Sequence, residues 1–303
     1  MASPQLQQIV QMLRQRTASR ETTTDLGVLR AGIEAGGQMF GPEAGTATEP
    51  LVIDGVPAEW ITGPGATDAA TIYYLHGGGH TIGSIASHRG LISRLSKASG
   101  ARALAIDYRL APENPYPAGL EDSLKAYRWL LAQGVDPNTI VIAGDSAGGN
   151  LALTTLLALK DAGDPLPAAT VLLSPWTDML STGDSYKTRK DLDPMIPADE
   201  ALTAARMYAN GADLRDPLLS PLYGDLSGLP PMLIHVGDHE VLLDDSTVLA
   251  ANAKAAGVDT TLEVWPQMIH VWQFFAPMVP EATEAIDKIG KFVRSHVATG
   301  ATV

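Results

Sequence analysis

Val141-Ile142-Ala143-Gly144-Asp145-Ser146-Ala147-Gly148-Gly149-Asn150-Leu151-Ala152 is the stretch on which the reading of this chain turns. Thr139 to Ala143 is a run of mostly small and apolar residues that reads as a short buried strand stopping at Gly144, and Asn150 to Lys160 suits a helix. Between them stands Ser146, with Gly144 and Gly148 two residues to either side. A strand that reverses into a helix within so few residues forces strained backbone angles on the residue at the apex and pushes its side chain out of the sheet edge. A side chain at either glycine would collide with neighbouring backbone. The N–H groups opening the following helix face the apex and stabilise negative charge that develops there. This is the pattern of a nucleophile elbow; the bland alternative is a glycine-rich turn with an incidental serine, and only its context decides between them.

Outward from that stretch, strand and helix patterns alternate. On the N-terminal side come a hairpin (Leu51–Ile53 and Ala58–Thr62 around the turn residues Asp54-Gly55), a strand Thr71–Leu75, a helix Leu91–Ala98, a strand Arg102–Ile106 and a helix Leu120–Ala132. On the C-terminal side come strands Ala168–Leu173 and Met232–Val236, a helix Leu249–Ala256, a strand Thr261–Val264 and a closing helix Ala285–Val297. Such alternation predicts an α/β fold with a mostly parallel central sheet and helices on both faces. Two segments fall outside it. Residues 4–40 read as helical: Leu6, Ile9, Val10 and Leu13 share one helix face, and a second helix runs over Asp25–Ala35 with Gly36-Gly37 as its stop. The irregular stretch Ser174–Leu229 holds one helix, around Asp199–Tyr208. The division that follows is an N-terminal helical cap over residues 1–45 and a catalytic domain over 46–303, with a second cap segment around 180–210. Whether the N-terminal helices cover the mouth of a site or only pack against the core stays open at this level.

With 303 residues, 45% of them apolar and 18% charged, the chain holds material for one large α/β domain with an accessory cap, or for two domains. A net charge of −13 leaves no basic surface to neutralise phosphates, which argues against a nucleic-acid partner. The absence of cysteine excludes disulfides and thiol catalysis. Met1-Ala2-Ser3-Pro4-Gln5 does not open a basic region followed by an apolar core, and no apolar run reaches transmembrane length. The expectation is a soluble, cytoplasmic protein without a membrane partner.

His76-Gly77-Gly78-Gly79-His80 follows the third strand directly. Three glycines at a strand's C-terminal end let backbone N–H groups face a cavity, as an oxyanion-binding loop requires. A phosphate cradle is the competing use, but the chain has no G-x-G-x-x-G or Walker pattern. A serine nucleophile needs a base, and the base needs an acid to fix its tautomer. Of the late histidines, His270 sits in a loop just past the last strand, at the sheet edge that carries Ser146; His235 lies inside a strand, His239 just beyond it and His296 in the closing helix. The acid is expected after Met232–Val236, where Asp238, Glu240, Asp244 and Asp245 follow. A metal centre from His235, His239, Asp238 and Glu240 is the weaker reading, because a strand end does not hold ligands four apart on one face and no further ligand set is evident.

As a set, His76-Gly77-Gly78-Gly79, Asp107-Tyr108-Arg109-Leu110-Ala111-Pro112-Glu113, Gly144-Asp145-Ser146-Ala147-Gly148-Gly149-Asn150, Ser174-Pro175-Trp176, Asp216-Pro217-Leu218-Leu219-Ser220-Pro221 and Met268-Ile269-His270 resemble a bacterial hormone-sensitive-lipase-like esterase of the α/β-hydrolase superfamily, over roughly residues 50 to 295. The resemblance implies an α/β-hydrolase core with an N-terminal helical cap, hydrolysis of small-molecule carboxylic esters without a cofactor, a preference for short acyl chains and, in some members, homodimers through the sheet edge. The family's acid motif usually reads Asp-x-Leu-x-Asp, whereas the matching register here is Glu240-Val241-Leu242-Leu243-Asp244. Register makes Glu240 the acid, and Asp238 remains the alternative. The site expected is therefore Ser146 as nucleophile, His270 as base, Glu240 as acid and the N–H groups of Gly77, Gly78 and Ala147 as the oxyanion hole, with no metal. His76 is read as support for the glycine loop, Asp145 as anchor of the elbow, and Tyr108, Arg109 and Glu113 as scaffold. Trp176, Met39, Phe40 and His80 are candidates for pocket lining or ordinary packing. Two other functions fit the same residues: opening of a cyclic ester such as a terpene lactone, and binding without catalysis on the same fold.

Overall fold

The computed structural model describes residues 2–19 and 25–297. Its centre is an eight-stranded sheet in the order β1-β2-β4-β3-β5-β6-β7-β8. The strands are β1 (Ala47–Ile53), β2 (Val56–Thr62), β3 (Thr67–Leu75), β4 (Ala101–Ile106), β5 (Ile140–Asp145), β6 (Ala169–Leu173), β7 (Met232–Gly237) and β8 (Thr260–Trp265). β1 and β2 form the hairpin, and β2 joins β4 antiparallel. From β4 to β8 all neighbours are parallel. The helices are α1 (Pro4–Ser19), α2 (Leu26–Met39), α3 (Ile85–Ser99), α4 (Ala118–Ala132), α5 (Ala147–Ala162), α6 (Ser185–Thr188), α7 (Ala198–Ala209), α8 (Leu243–Ala255) and α9 (Pro280–His296).

The near-continuous apolar runs of the central strands follow from helices covering both faces. Successive side chains of a strand point to opposite faces. In β3, Tyr73 and Leu75 enter one core with Tyr127 and Leu130 of α4, Leu151 and Leu156 of α5 and Leu249 of α8. Ile72 and Tyr74 enter the other, with Leu91, Ile92 and Leu95 of α3 and Ile286, Ile289 and Val293 of α9. β5 divides the same way, Ile140 and Ile142 to the first core and Val141 to the second. Both faces being dry, the parallel sheet has no polar alternation to show in the sequence.

The helix ends differ from those expected of the sequence, and packing supplies the reason. α2 does not stop at Gly36-Gly37 but runs to Met39. A Cβ on Gly37 would lie 2.2 Å from the Ser87 carbonyl oxygen, so this glycine is where α2 crosses α3 closely. Asp25 caps α2, its carboxylate accepting from the Gly27 N–H. α3 begins at Ile85, not Leu91, because Ser84 and Ser87 close a capping box. α5 begins at Ala147 and α8 at Leu243, in each case directly on the loop that carries a candidate site residue.

The two segments outside the alternation pack against the same end of the sheet. From α1, Leu6 and Ile9 are buried against Trp265, Met268, Ile269, Trp272 and Phe275, so this helix lies on the chain that leaves β8. Burying two such side chains contributes about 1.5–3 kcal/mol each. From the stretch after β6, Trp176, Met179, Tyr186, Ala205, Tyr208 and Leu219 form a cluster with Ala147, Val241 and Leu242. No helix among the described residues is long and apolar enough to cross a membrane.

Candidate active site

Ser146 follows the last residue of β5 with φ 52° and ψ −121°, a region costly for a residue with a Cβ. The neighbourhood enforces it. A Cβ on Gly144 would lie 2.3 Å from the Gly148 carbonyl oxygen, and one on Gly148 would lie 2.1 Å from that of Leu75. The Ser146 N–H donates to Leu173 O of β6 (2.9 Å), and its own carbonyl accepts from the Trp176 N–H (3.0 Å). The serine is half-buried. Ala147 is the first residue of α5, so its N–H has no acceptor within the helix.

The glycine loop after β3 corrects one expectation. The Gly77 N–H does not face a cavity: it donates to Asp145 Oδ1 (3.1 Å), with His88 Nε2 beside it at 3.2 Å. A Cβ on Gly77 would lie 2.2 Å from Asp145 Oδ2, so this glycine serves a close approach to the elbow, not the oxyanion hole. The loop turns at Gly78 (φ 116°) and Gly79 (φ 60°). Neither of their N–H groups has a hydrogen-bond acceptor among the described residues.

Behind the loop lies a buried polar cluster. Asp145 accepts from the Tyr74 hydroxyl (2.6 Å) and approaches His88 Nε2 at 3.3 Å. Burial works against its charge, but the His88 and Tyr74 partners outweigh that and leave its carboxyl below the usual range. His76 stacks on Tyr108 at 4.3 Å, and the Tyr108 hydroxyl donates to His76 O (2.7 Å). Burial, with His88 beside it, pushes the His76 imidazole down to about 3, so it stays neutral near pH 7.

Glu240 sits in the turn between β7 and α8, fully buried. Its Oε2 is 2.9 Å from His270 Nδ1. Its Oε1 accepts from the Gly237 N–H (2.5 Å) and from Ser174 Oγ (2.8 Å). Asp238, the alternative acid, is turned elsewhere: Oδ1 accepts from the Gln267 N–H (2.5 Å), where it braces the turn leading to His270. His270 is itself buried, and burial alone would lower its pKa. The hydrogen bond and charge of Glu240, with the charges of Asp193 and Asp145, overcome this and raise it. Burial likewise pushes the Glu240 carboxyl up, only partly offset by His270.

The remaining candidates separate. His80 (φ 58°) is fully buried, with its ring stacked on Tyr208 of α7 at 3.8 Å; burial pushes it down to about 3. Trp176 is buried in the same cluster. Met39 is 64% exposed, and Phe40 packs edge-on against Phe275 at 5.6 Å, with its carbonyl accepting from Arg94 of α3. Arg109 is held by Asp122. Glu113 has a reach wider than a local turn: it binds Arg30 of α2, whose guanidinium also donates to the carbonyls of Thr81 and Ala111. The four residues of the metal alternative do not converge on one point, although His239 Nε2 comes within 3.8 Å of Asp238 Oδ1. His235 lies buried against Trp265 and Trp272, and Asp238 and Glu240 face the bonds just described. No group of three or more metal-ligating side chains forms among the described residues.

Sequence reasoning missed two residues that touch this apparatus, His88 and Asp193, whose Oδ2 accepts from the Val241 N–H (3.1 Å) next to Glu240; Ser174 stood in the Ser174-Pro175-Trp176 motif but without a role. The roles of all three carry no local signal, because the partners Asp145, Val241 and Glu240 lie dozens of residues away.

The alpha/beta hydrolase fold family matches residues 72–274 of this chain. An acetyl-hydrolase of Streptomyces hygroscopicus is 42% identical over 300 residues, 99% of each chain. The crystal structure of an esterase from the bacterial hormone-sensitive lipase family superposes with a TM-score of 0.95 at 48% identity, covering 98% of this chain and 100% of that one. The esterase EstE5, in a crystal soaked with p-nitrophenyl butyrate, superposes with a TM-score of 0.93 at 47% identity, covering 97% of this chain and 99% of that one. With a strained serine at the turn from β5 into α5, a histidine–carboxylate pair on neighbouring loops and relatives matched nearly end to end, the chain belongs to the bacterial hormone-sensitive-lipase-like esterases of the α/β-hydrolase superfamily and is a serine carboxylesterase.

Proposed function

We propose that Ser146, His270 and Glu240 act as a triad that hydrolyses short-acyl esters through an acyl-enzyme. The observation that carries this is the 2.9 Å contact between His270 Nδ1 and Glu240 Oε2, which leaves Nε2 as the nitrogen free to take the Ser146 proton. Ser146 Oγ attacks the ester carbonyl, His270 accepts its proton, and the carboxylate of Glu240 stabilises the imidazolium. The tetrahedral oxyanion is received by the N–H groups of Gly78, Gly79 and Ala147, the free donors of the loop and of the α5 N-terminus. His270 then passes its proton to the leaving alcohol. Water, deprotonated by His270, attacks the acyl-enzyme and releases the acid and Ser146.

Short acyl chains are favoured by the way α7 closes on the glycine loop. Ala204 of α7 lies 3.9 Å from where a Cβ on Gly79 would stand, and Tyr208 of α7 stacks on His80, so this helix packs directly beside the loop and limits the room there for an acyl chain. The acetyl-hydrolase and butyrate names of the relatives point the same way. On this reading the N-terminal helices α1 and α2 and the segment around 180–210 cap the pocket. Labelling by a fluorophosphonate at Ser146, and rates on p-nitrophenyl esters from acetyl to palmitoyl run beside a lactone, test the reading. Labelling that persists in Ser146→Ala would remove the nucleophile assignment, and faster turnover of palmitoyl esters would remove the chain-length assignment. Preferred turnover of the lactone would favour the cyclic-ester substrate on the same residues.

A further inference from the structure

Ser174 is the buried hydroxyl at this site to which the proposed chemistry gives no part. It stands immediately after β6, fully buried, with φ 47°, a left-handed conformation that glycine adopts more cheaply than serine. Its N–H donates to His235 O of β7 (2.7 Å), which fixes the residue on the sheet. Its Oγ donates to Glu240 Oε1 (2.8 Å) and accepts from the Val271 N–H (3.2 Å). Val271 directly follows His270, so one oxygen atom ties the carboxylate to the backbone that carries the base. The preceding residue completes the arrangement, since Leu173 O accepts the Ser146 N–H at 2.9 Å.

We infer that Ser174 is a positioning residue for ester hydrolysis, its hydroxyl holding the Glu240 carboxylate and the His270 loop in the register that aims His270 at Ser146; the inference rests on the triad proposed above. Glu240 Oε2 can face His270 Nδ1 only if the carboxylate plane is fixed, and its Oε1 is fixed by two donors, Ser174 and Gly237. Gly237 offers a backbone N–H on the acid's own loop, whereas the Ser174 hydroxyl, the other donor to Oε1, also accepts from the base loop at the Val271 N–H. A hydroxyl donating to a carboxylate also favours the ionised form that the imidazolium needs. A residue kept only for the fold would be better as glycine at this φ.

The test compares Ser174→Ala, Ser174→Gly, Glu240→Gln and the Ser174→Ala/Glu240→Gln pair by kcat and KM on p-nitrophenyl butyrate, with folding checked by circular dichroism and thermal melting. Loss of a hydrogen bond to a charged group is expected to lower kcat about 10- to 100-fold, with KM changed less than about twofold. Ser174→Gly should match Ser174→Ala in kcat although it relieves the backbone, because both lack the hydroxyl. In the Glu240→Gln background, Ser174→Ala should add little, since the group it orients is already disabled. Near-wild-type kcat in either folded Ser174 variant, or the full single-variant loss repeated in the Glu240→Gln background, would overturn the inference. If Ser174→Ala fails to fold, Ser174→Gly decides, and failure of both to fold would make Ser174 a folding residue and overturn it as well. Glu240→Gln with undiminished kcat would instead overturn the triad, which separates the two failures.

Discussion

The two corners of the proposed triad are built in different ways. The nucleophile corner is made of backbone and of missing side chains: Gly144, Gly148 and Gly77 each occupy a place where a Cβ would meet another atom within 2.3 Å. The acid–base corner is made of side chains bonded across long stretches of chain, 30 residues between Glu240 and His270, 66 between Ser174 and Glu240, 97 between Ser174 and Val271. A backbone-built corner is fixed by steric exclusion and has few intermediate states. A side-chain-built corner is fixed by hydrogen bonds that can be removed singly, so its losses are graded.

That contrast orders the effects expected of substitution. Ser146→Ala should abolish chemistry, lowering kcat by about 10⁵–10⁶ while the melting temperature holds, since alanine keeps the same Cβ at the turn; measurable turnover within tenfold of wild type would break the assignment of this corner. Glu240→Gln should lower kcat by about 10⁴, and Asp238→Asn by tenfold or less, because Asp238 braces the Gln267 turn and does not touch His270. The reverse ranking in kcat would make Asp238 the acid.

The pH profile sharpens the same corner. His270 must be neutral to take a proton, so activity is lost as pH falls through its pKa, which Glu240 holds above the usual imidazole value. Residual activity in Glu240→Gln should therefore show its acid limb of kcat/KM at lower pH. Asp193→Asn, which removes a second carboxylate charge acting on His270, should move the limb the same way by less. A limb that moved upward in either variant would contradict the electrostatic account.

In the backbone corner, Gly148→Ala should cost about 1–3 kcal/mol of stability or more, since its Cβ would lie 2.1 Å from Leu75 O and backbone cannot swing aside; denaturant titration measures it. The smallest effect is expected of Arg30→Ala. Its pairing with Glu113 is largely solvated, so stability should fall by less than about 1 kcal/mol, leaving the carbonyls of Thr81 and Ala111 to water.

The same contrast governs what could be read from the residues. The elbow and the sheet class were legible because steric exclusion leaves a short local pattern, glycines at fixed offsets from a serine. The register that put Glu240 ahead of Asp238 agrees with where the two carboxylates point, since a turn places residues by count. The glycine run did not disclose which N–H groups face open space, because that depends on Asp145, 68 residues on from Gly77. Gly36-Gly37 read as a helix stop for lack of knowledge that α3 passes beneath. Met39 and Phe40 stayed open between pocket lining and ordinary packing, because apolar character does not say which surface it meets; Phe40 meets Phe275. Asp193 and His88 left no trace, and Ser174 left only a place in the Ser174-Pro175-Trp176 motif without a role, since a single serine, aspartate or histidine acquires meaning only from its partner across the fold.

The end of β6 also bears on thermal motion. The loops of Ser146, Glu240 and His270 all attach to the adjacent residues Leu173 and Ser174. A fluctuation of that strand end displaces the three together, as a common-mode movement, and leaves the distances between them nearly unchanged. Alignment of the reacting groups is then sensitive chiefly to the differential motions that stretch one attachment against another. Such a layout would let neighbouring segments shift while the spacings among Ser146, Glu240 and His270 stay narrow.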